Sequence, residues 1–192
     1  MPDHPSHTHT NHETPPSGRP LTNMALSATL HCLTGCAIGE VAGMFVGTAL
    51  GMSNLATVGL SILLAFAFGY ALTSLPLLRG GLALATVVPI ALASDTLSIA
   101  TMEVVDNLIV LVVPGAMDAG LGDMLFWGSL AFAMPVAGAF AVPVNRWLLA
   151  RGRGHAAVHS TGIHGGPPLQ LVGAAAALAF VFGSGTLLAQ AL

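Results

Sequence analysis

The sequence predicts an all-α, polytopic transmembrane helix bundle of about five spans, with its N-terminus in the cytoplasm. Three observations predict it. The 192 residues are 54% hydrophobic and 7% charged, against roughly 25% charged residues in a soluble domain, and the mean hydropathy is +0.81. Five apolar segments each reach the ~20 residues needed to cross about 30 Å of hydrocarbon. The basic residues Arg19, Arg79, Arg146, Arg151 and Arg153 all fall on one side of a five-span chain, as the positive-inside pattern requires. The same composition excludes other classes. Five arginines against eight acidic residues leave no basic stripe for nucleic acid. Two cysteines cannot staple a secreted scaffold, and so little charge argues against a soluble cytoplasmic enzyme.

Residues 1–24 are rich in His, Pro, Ser and Thr and show no apolar periodicity, so they read as a disordered cytoplasmic tail. No apolar run follows a basic start, so they do not read as a signal peptide. The core of four spans is expected over 25–150. Its first span is 25–51 and its second is 54–76, ending at Pro76. The third, 82–113, extends about 48 Å at ~1.5 Å per residue, so it must tilt, protrude or bend, with Pro89 as the place for a bend. The fourth is 124–149. An Arg/His/Gly loop at 151–167 then leads to a fifth span at 168–192. Asn145-Arg146-Trp147 reads as an interfacial anchor, with Trp147 in the aromatic belt.

Polar residues inside the spans carry the chemistry. In the first span Gly35, Gly39, Gly43, Gly47 and Gly51 recur every four residues and mark a helix-packing face. Beside that row run Cys32, Cys36, Glu40 and Met44, again four apart, and His31 heads the glycine row next to Cys32. Thiol, imidazole, thioether and carboxylate together form a ligand set for a soft or borderline metal. A carboxylate such as Glu40 at mid-span costs roughly 2.5 kcal/mol or more, which marks it as functional by default. In the third span Asp95, Met102 and Asp106 share a face, with Glu103 alongside. No arginine lies at mid-span to pair with them, which favours a bound cation or shared protons over the plainer reading that Glu103 and Asp106 lie hydrated near the membrane surface. Seven of the eight histidines lie in the tail and the 151–167 loop, where His-rich segments capture transition metals. Phosphate-loop, H-E-x-x-H, C-x-x-C and G-x-S-x-G motifs are absent from the sequence.

The stretches HCLTGCAIGEVAGM, SDTLSIATMEVVDN, PGAMDAGLGDMLFWGSLAFAMPV and PVNRWLLARGRGHAAVH resemble one bacterial membrane family, DUF4396, over approximately residues 30–160. The resemblance implies a small, multi-pass protein of the bacterial inner membrane and brings no catalytic residues with it.

The expected function is the binding or transport of a transition-metal ion rather than catalysis. Its site residues are His31, Cys32, Cys36, Glu40, Asp95, Met102, Glu103 and Asp106, brought together where the first and third spans face each other. The competing expectations are an accessory or assembly subunit of a membrane complex, in contact through the glycine row, and a membrane enzyme or redox protein using the Cys/His/carboxylate set. The expected partners are the lipid bilayer and further membrane subunits or copies of the chain, with no nucleic acid.

Overall fold

The computed structural model describes residues 17–154, 156–159, 161 and 169–191. Among them are five long helices: α1 (Gly18–Ala49), α2 (Asn54–Arg79), α3 (Leu84–Val112), α4 (Met124–Ala150) and, after the single-turn α5 (Ala156–His159), α6 (Leu169–Ala191). A 3₁₀ turn at Ala116–Asp118 lies in the α3–α4 connection. Helices α1 to α4 are long and apolar enough to cross a membrane, and Leu178–Ala191 of α6 forms a shorter apolar helix. Among the described residues the fold is all-α with four long candidate spans, and α6, at the place of the expected fifth, is a 23-residue helix whose Leu178–Ala191 part is apolar.

Helix α1 begins at Gly18, seven residues before the expected start, so residues 18–24 belong to the helix rather than to the tail. Two physical reasons account for this. Pro20 lies in the first turn, where a missing N–H removes no helical bond. Leu21 and Ala25 are buried at helical spacing and, with Met24, pack on Leu149 of α4 and Ala156 of α5. The rest of the expected tail, 1–16, lies outside the described residues, as do His155 and His164.

At its far end α1 reverses through Gly51, whose φ of 64° is the left-handed geometry that glycine adopts without strain. Ser53 then starts α2, its hydroxyl accepting from the Ala56 N–H at 3.4 Å. Pro76 does not end α2, which runs on to Arg79. Pro89 likewise lies within an unbroken α3, and Pro135 and Pro143 within α4.

The α1–α2 pair packs in a constant antiparallel register. A Cβ on Gly35 would meet Gly69, on Gly39 the backbone of Ala65, on Gly43 Ser61, and on Gly47 Thr57. Each four-residue step along α1 is matched by a four-residue step back along α2. Gly51 is outside this contact, since its Cβ position meets nothing and its role is the turn. Helix α4 lies against α1 and α3 through buried Ala137 and Ala141, and α6 rests mainly on α4. With no hydrophobic drive inside lipid, such small-residue contacts hold the bundle through close packing. This arrangement brings the start of α1, the end of α2 and the end of α4 to one end of the bundle, and all five arginines with them.

Candidate functional site

At the opposite end of the bundle the short α1–α2 turn and the α3–α4 connection surround a cavity of about 360 Å³. Asn54 donates to Asp118 Oδ1 at 2.8 Å and so ties the start of α2 to the α3–α4 connection. That connection is further held by the Gly120 N–H donating to Asp123 Oδ2 at 2.7 Å and by Trp127 Nε1 donating to the Leu121 carbonyl at 2.9 Å.

The cavity wall carries Glu40 from α1, Glu103, Asp106 and Asn107 from α3, Ser61 from α2 and Ser129 from α4. Asp118 lies at its mouth, and no Lys, Arg or His is among the described lining residues. Glu103 is 5% exposed and Asp106 4% exposed. Both carboxyl oxygens of Glu103, together with Glu40 Oε1, Asp106 Oδ1 and Ser129 Oγ, are buried without a hydrogen-bond partner. Buried polar atoms are normally paired, so five such atoms around one cavity mark it as a polar site, and shared protons, water or a cation each satisfy atoms of this kind. The Glu40 and Asp106 carboxyl groups face each other, and the Cys36 thiol lies beside Glu103.

Deeper in the bundle the polar chemistry changes. Cys32 and Cys36, both free thiols, are buried in one cluster with Met102, Ala65, Ile99, Ala137 and Ala141, and Met134 packs against it. Cys32 donates to Asp95 Oδ1 at 3.9 Å, and Ser94 Oγ donates to the same oxygen at 2.8 Å. Below this, Asn145 of α4 donates through Nδ2 to Thr29 Oγ1 and to Ser98 Oγ, both at 2.9 Å, joining α4 to α1 and α3.

The eight expected site residues therefore occupy three places. Glu40, Glu103 and Asp106 line the cavity. Cys32, Cys36 and Met102 lie inward of it, with Asp95 on Cys32. His31 faces α2, its Nε2 2.9 Å from Thr73 Oγ1, one step further along the register of the glycine row. Asp95 and Asp106 are eleven residues apart on α3, about 16 Å at ~1.5 Å per residue, so one ion cannot touch both. Among the described residues, no three His, Cys, Asp or Glu side chains are already arranged around a metal position.

Sequence reasoning misassigned Asn145, which is buried at 2% exposure rather than at the interface. Its signal was its place four residues after Ala141, continuing the inward row of α4. Trp147 is exposed, with the Arg151 guanidinium 4.2 Å above its ring. Ser129 and Asp118 carried no signal of their own, since a lone Ser or a loop Asp is common in any chain.

The family model described as Domain of unknown function (DUF4396) matches residues 22–154. The match spans α1 to α4 and every residue of the cavity and its interior. No curated protein and no solved structure matches the chain significantly. The chain belongs to the DUF4396 family.

Proposed function

We propose that this DUF4396 protein takes a transition-metal cation into the acidic cavity, for binding or for transport across the membrane. The observation that carries the reading is the set of buried carboxyl oxygens on Glu40, Glu103 and Asp106, unpartnered and turned to one cavity with no basic side chain on its wall. Held ionised, these carboxylates would cost several kcal/mol if left unpaired, and a bound cation offsets that cost. Met44 in the wall adds sulfur to the oxygen set, which suits a transition metal better than Ca²⁺ or Mg²⁺. The ligands are not pre-assembled, so the long Glu40 and Glu103 side chains close on the ion as it enters. In this reading the arginine-rich end faces the cytoplasm, α6 forms the fifth crossing, and the cavity opens on the far side of a bacterial inner membrane.

The test uses Co²⁺, whose visible bands report its ligands, with the full-length protein carrying glutamine in place of His4, His7, His9 and His12. Glu103→Gln and Asp106→Asn should each weaken Co²⁺ binding at least tenfold while thermal stability is retained. Parent-like binding in both variants would remove the metal reading. The protein would then be read as an accessory or assembly subunit of a membrane complex.

A further inference from the structure

Inward of the acidic cavity lies a cluster that its carboxylates do not explain. Two thiols from α1, Cys32 and Cys36, share one packed group with the thioether of Met102 from α3, and the thioether of Met134 from α4 packs against it. Three helices thus contribute four sulfur-bearing side chains to one packed group. We infer that Cys32, Cys36, Met102 and Met134 form a second, sulfur-rich site for a soft monovalent cation of the Cu(I) or Ag(I) class, with the Asp95 carboxyl beside Cys32. The inference rests on the reading of the chain as a metal handler and names the kind of ion that reaches its interior.

Four observations support that ion class. Cysteines four apart on a helix place their Cβ atoms about 5–6 Å from each other, close enough for both sulfurs to reach one ion. Both are free thiols. The other buried members of the cluster, Ala65, Ile99, Ala137 and Ala141, are apolar and supply no donor, so the polar neighbours of the two thiols are the Asp95 and Glu103 carboxyl groups. Thiolate and thioether are the ligands that select soft ions such as Cu(I). Binding of the ion releases the two thiol protons, with the Asp95 and Glu103 carboxyl groups standing next to Cys32 and Cys36.

Cysteine and methionine also serve as plain core filler, and the experiment separates the two roles. Full-length protein with the four tail histidines replaced by glutamine is titrated with silver nitrate in chloride-free buffer, following affinity and ultraviolet thiolate-to-metal absorption. The expected result is one Ag⁺ per chain with a charge-transfer band. Cys36→Ser should abolish the band and weaken binding at least a hundredfold. Met102→Leu, which conserves volume and leaves both thiols in place, should weaken it at least tenfold. Two independent Ag⁺ per chain, no band in the parent, or affinity unchanged by Met102→Leu would each overturn the inference. The parent titration requires no variant to fold. Co²⁺ binding without the silver band would sink this site and leave the cavity reading standing, and the band without Co²⁺ binding would do the reverse.

Discussion

Asn145 stands next to Arg146 and two residues before Trp147, and that company points to the membrane surface, yet its amide lies inside the bundle. It donates to hydroxyls on two other helices, Thr29 and Ser98. Hydrogen bonds between helices in membranes are worth about 0.6 kcal/mol each on average and at most about 1.7. Asn145→Ala should therefore destabilise the protein by about 1–3 kcal/mol in detergent unfolding, whereas Trp147→Ala should leave that transition within ~0.5 kcal/mol. Equal effects would mean that the amide does not join the helices. Single residues were legible where chemistry and position agreed. Glu40, Glu103 and Asp106 stand out because carboxyl groups in apolar spans are rare and expensive. The fate of His31 was hidden, because one residue of helical phase, about 100°, decides whether it follows the glycine row or the cysteines.

At the scale of the helix, periodicity carried most of the information. Glycine every four residues states where a neighbour approaches, though not which neighbour, and the structure places α2 there. Gly43→Leu would drive its side chain into Ser61 and should cost about 1–3 kcal/mol through overpacking. Gly59, on the outer side of α2, has nothing within contact of its Cβ position. Gly59→Ala should leave thermal stability unchanged or slightly raised, alanine being the better helix former by about 1 kcal/mol. Comparable losses in both variants would show that the row is not a selective contact face. Helix ends were less legible than helix faces. The start of α1 is concealed by a Pro- and Ser-rich approach whose composition reads as tail until Leu21 and Ala25 meet Leu149. Pro76 was read as a stop, yet it tolerates one further turn of α2 before Gly80 and Gly81 reverse the chain.

For the whole molecule, membrane class followed from composition, since 7% charge cannot solvate a chain of this size. The arrangement of helices around the cavity did not, because no spacing in one segment states how far along its neighbour a contact falls. Arginines gathered at one end and carboxylates towards the other give the bundle a polarity that topology reporters read directly. Fusions at both termini should place the N-terminus in the cytoplasm and the C-terminus on the opposite side. Both termini on one side would remove α6 as a crossing and leave the four long helices as the spans.

The constant α1–α2 register has a consequence for biosynthesis. These two helices are joined by four residues and lock through contacts local in sequence, so they form a hairpin while later segments are still being synthesised. The Asn145 bond to Thr29 bridges 116 positions and waits for nearly all of α4. Until then the Cys32–Glu40 face of α1 lacks its final wall. The cavity wall, which draws on α1, α2, α3 and α4, is therefore complete only once the fourth helix has joined the hairpin.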